Sequence, residues 1–270
     1  MTSPKPPLCV IRGGGDIGTG VVWRLWRSGY SVIVTELPNP LTVRRTVSMS
    51  TAVAEGTVTV ESMVGVKVDS QQDAQQMALS GRQVPVIVSE ALLDVAADVV
   101  IDARLAKRNI DTSITDAPLV VALGPGFTAR TDCDVVVETM RGHGLGRTIW
   151  QGSALANTGI PAPVNGHAQS RVLRAPLAGP TTWVVEIGTK VKTNQVLGQV
   201  GGQPITAPFD GVIRGLIASG TQVRSGLKIG DVDPRLDVEC HQISDKALAI
   251  GGGVLEAVTG WWFGARSAND

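Results

Sequence analysis

The sequence predicts an α/β protein in which a parallel-sheet domain precedes a small all-β domain and a C-terminal helix. In the first 150 residues, short continuous apolar runs alternate with amphipathic segments, a pattern typical of parallel strands buried between helices. Beyond residue 170 the apolar runs shorten and turn residues recur every few positions. We therefore predict a first domain at 1–150, a Gly-, Pro- and Asn-containing linker at 151–170, a β domain at 171–238, and a strand and helix segment at 239–270 that packs on the other domains.

Hydrophobic periodicity places the elements of the first domain. Apolar runs predict strands at residues 8–11, 31–35, 85–88, 99–102, 119–123 and 135–137. Helices are predicted at 17–29 and 73–80, each ended by a glycine. Near the C-terminus, Ser244 or Asp245 is placed to cap a further helix. That helix contains a Gly triplet at 251–253, which would allow close packing on another domain.

A glycine-rich turn follows the first predicted strand and reads Gly13-Gly-Gly15-Asp16-Ile-Gly18. Gly13 permits the tight turn, Gly15 lets the backbone approach a phosphate, and Gly18 lets the helix pack on the strand. The next strand leads to Glu36, 18 residues beyond Gly18, where a carboxylate would accept ribose hydroxyls. Asp16 favours the helix dipole but would compete with a pyrophosphate if it pointed inward. The pattern predicts a Rossmann-like nucleotide-binding domain, with a degenerate site as the alternative.

Three more loops follow predicted strands of this sheet and carry residues suited to binding an anion. Ligands in open α/β sheets bind at the carboxyl ends of the strands, where these loops lie. Arginines would bind phosphate or carboxylate, and glycines would let the backbone approach a ligand. A simple turn is the alternative for the loops that carry Arg104 and the two glycines, and a structural histidine is the alternative for the loop that carries His143. The candidate residues are Arg104, Gly124, Gly126, Arg141, His143 and Arg147.

The β domain contains an internal repeat. Residues 174–200 align with 206–232 without a gap at an offset of 32, with eight of 27 positions identical. Most identities are turn residues and strand anchors, and the pattern resembles the barrel-sandwich hybrid of biotinyl and lipoyl domains. Those carriers attach their cofactor to a lysine between the two halves. Residues 200–205 contain no lysine, so biotin or lipoate attachment is not expected.

Composition excludes several classes of partner. Lys and Arg total 24 and Asp and Glu total 24, so a nucleic-acid binder acting through bulk positive charge is not expected. The longest uncharged stretch, 148–170, is too polar to span a membrane, and the N-terminus lacks the apolar core of a signal segment. Three scattered cysteines form neither a disulfide framework nor a metal motif. A cytoplasmic protein without a metal site is expected.

The chain resembles YqeB-type accessory proteins of the selenium-dependent molybdenum hydroxylase system over nearly its whole length. The longest matching strings are Arg-Gly-Gly-Gly-Asp-Ile-Gly-Thr-Gly at 12–20, Glu-Thr-Met-Arg-Gly-His at 138–143 and Gly-Asp-Val-Asp-Pro-Arg at 230–235. A further match of six residues lies at 252–257, and shorter matches lie at 44–48, 55–56, 124–127, 145–147 and 243–247. The first domain is also loosely similar to the Rossmann domain of XdhC-type proteins, which aid maturation of xanthine-dehydrogenase-like enzymes.

This resemblance implies a maturation factor that binds a nucleotide or the molybdenum pyranopterin cofactor and docks on a molybdenum hydroxylase client. In this reading Gly13–Gly18 holds the phosphates, with Arg141 and Arg147 as secondary anchors. Two alternatives stay open. One is an NAD-dependent oxidoreductase, for which Glu36 favours NAD over NADP. The other is a structural assembly partner whose nucleotide site is vestigial. The sequence shows no convincing catalytic set, so whether the protein is an enzyme stays open.

Overall fold

A computed structural model describes residues 6–157, 166 and 169–264. The chain divides into two compact units. The first, called here the sheet unit, comprises the described residues up to 40, from 48 to 157 and from 243 onward. The second, the β unit, comprises 41–47 and the described residues between 158 and 242. The units therefore depart from the predicted boundaries at two places, since 41–47 joins the β unit and the C-terminal helix joins the sheet unit.

The sheet unit is built on a nine-stranded mixed sheet. Its strands are β1 (Leu8–Arg12), β2 (Ser31–Glu36), β3 (Thr57–Val60), β4 (Met63–Val68), β5 (Val84–Val88), β6 (Val99–Asp102), β7 (Leu119–Leu123), β9 (Val135–Val137) and β10 (Thr148–Ile149). A separate antiparallel pair joins β8 (Thr128–Ala129) to β11 (Gly152–Ser153). The central strands are buried along their whole length, which explains their continuous apolar runs.

The strand order of the large sheet is β10-β9-β7-β6-β1-β2-β5-β4-β3. Seven strands, from β4 across to β9, pair in parallel, and β3 and β10 add antiparallel edges. From β1 the chain proceeds to β2 and β5 on one side, then crosses to β6 on the other. The order therefore reverses between β1 and β6, at the centre of the sheet.

Four α-helices belong to the sheet unit: α1 (Asp16–Arg27), α2 (Ala52–Glu55), α3 (Gln71–Ser80) and α4 (Asp245–Trp262). The Ser70 hydroxyl caps α3 by accepting from the Asp73 N–H, and Gly81 ends it in the left-handed region. The Ser244 hydroxyl caps α4 by accepting from the Ala247 N–H, so Ser244 and not Asp245 is the N-cap. None of the helices in the described residues combines the length and apolar character needed to cross a bilayer.

Helix α4 packs closely along α1, and both helices run in the same direction. A Cβ atom on Gly20 would lie 2.5 Å from the Ala247 carbonyl oxygen, and one on Gly251 would collide with the Gly20 carbonyl oxygen. Further along, the Tyr30 and Thr259 hydroxyls lie 3.0 Å apart. Gly251, the first residue of the Gly triplet, therefore packs α4 against α1 within the same unit, where a packing role on another domain was predicted. The N-termini of both helices lie at one end of the unit.

The β unit contains two four-stranded antiparallel sheets, in the orders β12-β19-β17-β14 and β16-β15-β13-β18. Its strands are β12 (Val172–Arg174), β13 (Gly179–Trp183), β14 (Lys190–Val191), β15 (Val196–Val200), β16 (Gln203–Thr206), β17 (Gly211–Leu216), β18 (Gln222–Val223) and β19 (Lys228–Asp233). Strands β13, β14 and β15 recur as β17, β18 and β19 at an offset of 32 residues. Their pairing is reciprocal, because β13 pairs with β18 while β17 pairs with β14. Each half therefore contributes a strand to the other half's sheet.

Candidate functional site

The glycine turn joins the central strand β1 to helix α1 at the carboxyl edge of the sheet. Gly13 has a φ of +105°, a conformation that favours glycine, and its N–H donates to the Thr35 carbonyl oxygen at 2.9 Å. A Cβ atom on Gly13 would lie 2.9 Å from the carbonyl oxygen of Ala103, the residue after β6. A Cβ atom on Gly18 would collide with the Gly13 carbonyl oxygen. These two glycines therefore let the turn, the helix and the neighbouring loop lie close together.

Gly15 differs from the other two glycines because it borders open space. It is the N-cap of α1, with φ −65° and ψ −179°, and no side chain caps the helix. No heavy atom of the described residues lies within 4 Å of a Cβ built on it. The first N–H groups of a helix have no partner within the helix, and they carry the positive end of its dipole. This end of α1 therefore has the space and the polarity that a phosphate group requires.

Two carboxylates flank the turn. One oxygen of Glu36 accepts from the Gly14 N–H at 2.9 Å, and the other accepts from the Leu37 N–H at 2.8 Å. Glu36, predicted to accept ribose hydroxyls, thus lies beside the turn, and its carboxylate also holds the turn in place. Asp16 is the first residue of α1, where a negative charge is favoured by the helix dipole.

A network of four charged side chains lies at the point where the strand order reverses. Arg12 ends β1 and is 2% exposed, and its register partner Asp102 ends β6 and is also 2% exposed. Two nitrogens of Arg12 contact the two carboxylate oxygens of Asp111, each at 2.9 Å. The Arg104 guanidinium donates three hydrogen bonds to the Asp102 carboxylate, and one of its nitrogens lies 2.7 Å from an oxygen of Asp111. Arg104, predicted to bind a ligand anion, is therefore already paired with two carboxylates of the chain.

The network predicts an acid-dependent loss of stability. Hydrogen bonding from Arg12, followed by that from Arg104, lowers the pKa of Asp111 from 3.8 to about 2. A carboxyl whose pKa is lower in the folded state stabilises the fold above its unfolded pKa. That stabilisation is therefore present above about pH 4 and is lost as the pH falls towards about 2. In chemical denaturation at stepped pH, the Asp111→Asn protein should lose less of its free energy of unfolding than wild type across this interval. An equal loss in both proteins would contradict the assignment.

The glycines after β7 adjoin protein atoms. A Cβ atom on Gly124 would lie 2.5 Å from the Thr139 hydroxyl, and one on Gly126 would lie 2.5 Å from the backbone of Arg108. Both have positive φ, at +75° and +107°. Neighbouring loops of the chain therefore lie close to these two glycines, on the side where a ligand was predicted to approach.

The loop after β9 places Arg141, His143 and Arg147 near the N-terminus of α4. Arg141 forms a two-bond ion pair with Asp245, at 2.9 and 3.0 Å, in which both side chains are largely exposed. Arg147 donates to the His143 carbonyl oxygen at 3.2 Å. Burial, and then the nearby charge of Arg141, lowers the pKa of Lys246, which also interacts electrostatically with Asp16. This loop and the glycine turn therefore lie at the same end of the sheet unit.

Sequence reasoning missed three of the charged residues at this end: Arg12, Asp111 and Lys246. A charged residue directly after a buried apolar run, as Arg12 is, could have drawn attention to the end of β1. Nothing local links it to Asp111, which lies 99 residues further along the chain. Lys246 was named only as part of the C-terminal helix.

The three cysteines, Cys9, Cys133 and Cys240, are all buried and free. Burial raises the pKa of each thiol, and that of Cys133 reaches about 12. The reactive thiolate form is therefore disfavoured at neutral pH. Across the described ranges 6–157 and 169–264, no three His, Cys, Asp or Glu side chains group closely enough to hold a metal ion.

The fold and the site define a mixed α/β protein whose central strand–helix turn borders open space at Gly15. The chain is 45% identical over 266 residues to the uncharacterized protein YqeB of Escherichia coli (strain K12), a match that covers 96% of the chain. It spans about half the length of that relative, 49%. This similarity supports the interpretation of the chain as a YqeB-type protein. No protein-family model matches it.

Similarity to solved structures is weak. An aspartoacylase family protein from Mesorhizobium loti aligns with 86% of each chain at 14% identity and a TM-score of 0.28. The ectoine utilization protein EutE (DoeB) from Ruegeria pomeroyi aligns with 84% of this chain and 85% of its own at 9% identity and a TM-score of 0.25. Scores this low do not establish a common fold, so nothing about function follows from them.

Proposed function

We propose that the chain binds a phosphate-bearing ligand, either a nucleotide or the molybdenum pyranopterin cofactor, and acts as a maturation factor for a molybdenum hydroxylase. The observation that carries the ligand proposal is the open N-cap at Gly15. It lies on the helix that follows the central strand, at the edge of the sheet where the strand order reverses. Open α/β sheets bind their ligands in the crevice beyond such a reversal.

The topology supports a finer description of the sheet unit as Rossmann-like. Six of its seven parallel strands run β5-β2-β1-β6-β7-β9, which corresponds to the order 3-2-1-4-5-6 of dinucleotide-binding domains, and β4 is added beside β5. The turn after the first strand is the one that contacts pyrophosphate in such domains. The reciprocal strand exchange of the β unit likewise supports a barrel-sandwich-like description of that unit.

The accessory role rests on the resemblance of the longer sequence strings to YqeB-type accessory proteins. This chain spans about half the length of the Escherichia coli YqeB protein. The client enzyme and the cofactor are therefore proposed for this chain and not for the whole of that protein. An NAD-dependent oxidoreductase is the second candidate. It is favoured by Glu36, whose carboxylate lies against the turn and would repel a 2′-phosphate.

Calorimetric titration of the purified chain with NAD, with adenine mononucleotides and with the pyranopterin cofactor tests the proposal. Tight binding of the pyranopterin, together with transfer to a cofactor-free molybdenum hydroxylase, would support maturation. Selective binding of NAD would favour the oxidoreductase. If none of the three ligands binds, the result would favour a structural assembly partner whose nucleotide site is vestigial.

Replacing Arg141 and Arg147 together with alanine should weaken binding of phosphate-bearing ligands by a few-fold to about tenfold, because two positive charges near the turn are lost. The free energy of unfolding should change by less than about 1 kcal/mol, since exposed ion pairs contribute little to folding. Calorimetry and chemical denaturation measure the two effects. Unchanged affinity at low salt would show that these arginines serve only the local structure.

A further inference from the structure

The loop between β6 and β7 is unusually long for a connection without secondary structure. It spans residues 103–118 and is called here the Asp111 loop. Loops of more than about 12–15 residues without regular structure are uncommon in compact domains and are often functional. Two of its residues that are not glycine, Leu105 and Lys107, have positive φ values of 54° and 62°. Such backbone strain concentrates at ligand clamps and active sites.

Asp111 is the one member of the four-residue charge network that solvent reaches readily. Its side chain is 45% exposed, whereas those of Arg12 and Asp102 are 2% exposed and that of Arg104 is 18% exposed. Its carboxylate binds the Arg12 guanidinium through both oxygens, the geometry in which arginine also binds phosphate. The charge on the buried Arg12 is thus neutralised by a half-exposed carboxylate carried on a loop.

The backbone on either side of Asp111 is anchored. The Asn109 N–H donates to the Gly126 carbonyl oxygen at 3.0 Å, and the Thr112 hydroxyl donates to Asp102 at 2.7 Å. The loop backbone can therefore stay in place while the Asp111 side chain rotates away from the two arginines. The position vacated lies between the ends of β1 and β6, beside the glycine turn.

We propose that Arg12 and Arg104 form an anion-binding subsite for a phosphate group of the ligand, and that Asp111 occupies this subsite as an internal substitute until the ligand displaces it. This inference rests on the proposed function, because the same ligand would reach from the glycine turn to the ends of β1 and β6, where the strand order reverses. Without Asp111, the two arginines and Asp102 carry one net positive charge. That charge matches a phosphodiester or one phosphate of a pyrophosphate diester, each with one negative charge.

The test is the Asp111→Asn protein, titrated with inorganic phosphate and with NAD at constant ionic strength. Removing the competing charge should tighten binding of either probe by at least about tenfold, or about 1.4 kcal/mol. Phosphate should also raise the melting temperature of the variant more than that of wild type. Asp116→Asn is the matched control: it makes the same change in the same loop, where the Asp116 carboxylate accepts from the Ser113 N–H. Adding Arg12→Gln to Asp111→Asn should abolish the gain.

The outcomes separate this inference from the proposed function. If NAD binds wild type and Asp111→Asn equally, and Gly15→Asp abolishes that binding, the subsite is wrong and the proposed function stands. If phosphate binds Asp111→Asn through Arg12 but no nucleotide or pyranopterin binds through Gly15, the subsite stands and the proposed function fails. Should Asp111→Asn fail to fold, the same titrations are made with Asp111→Ser, and the side-chain NMR signals of Arg12 are followed in wild type as ligand is added. Arginine signals that do not move on ligand addition would overturn the inference.

Discussion

Alanine at position 253 is expected to destabilise the sheet unit by about 1–3 kcal/mol or more, whereas alanine at the adjacent position 252 should stabilise it. A Cβ atom on Gly253 would collide with the Gly146 carbonyl oxygen and would lie 2.9 Å from a methyl group of Val137. Backbone atoms cannot move aside as a flexible side chain can. The helix must therefore shift away from the loop after β9 and from the sheet.

Gly252 provides the control within the same turn of helix. No heavy atom of the described residues lies within 4 Å of a Cβ built there, so alanine meets no neighbour. Because glycine is a poor helix former, Gly252→Ala should raise the free energy of unfolding by about 0.5–1 kcal/mol. Urea denaturation of the three proteins measures both effects. Equal behaviour of the two variants would show that α4 does not pack as described.

Aspartate at position 15 is expected to reduce binding of a phosphate-bearing ligand on the order of a hundredfold, because charge-assisted hydrogen bonds worth about 1.5–3 kcal/mol are replaced by repulsion. The fold should survive. The φ of −65° suits any residue, the space around the Cβ is open, and aspartate is a favourable N-cap. A gain of a few tenths of a kcal/mol in stability is expected from the added cap.

Alanine at position 15 separates charge from volume. It adds one methyl group in open space and no charge, so its affinity should lie between those of wild type and Gly15→Asp. Calorimetric titration gives the affinities, and circular dichroism verifies that the variants are folded. If Gly15→Asp binds as wild type does, the phosphate site lies elsewhere in the chain.

The mixed α/β architecture followed from the sequence because the central strands are buried on both faces. The predicted strand at 99–102 coincides with β6, and the glycine turn lies between a strand and a helix as predicted. The hairpin of β3 and β4 was missed, although Thr57–Val60 alternates polar and apolar residues as an exposed edge strand does. The strand predictions relied on continuous apolar runs, whereas threonines interrupt β3, and Gly65 and Lys67 interrupt β4.

The roles of individual charges were harder to predict than the elements that carry them. Sequence placed Arg104 correctly after β6, but it did not predict the pairing of Arg12 with Asp111, because a long loop brings Asp111 back to the end of β1. Gly124 and Gly126 have the positive φ angles that favour glycine, yet other atoms of the chain fill the space beside them. Such contacts join distant parts of the chain, so local patterns do not contain them.

The packing of α4 on α1 has a consequence for how the protein is made. The ribosome completes every strand of the β unit before it begins α4, which finishes the sheet unit. Until α4 is made, the face of α1 that packs against α4 stays exposed, whereas every strand of the β unit has already been synthesised. The β unit is therefore expected to reach its final structure first during synthesis, because the sheet unit must wait for a contact between distant segments, and such contacts form slowly.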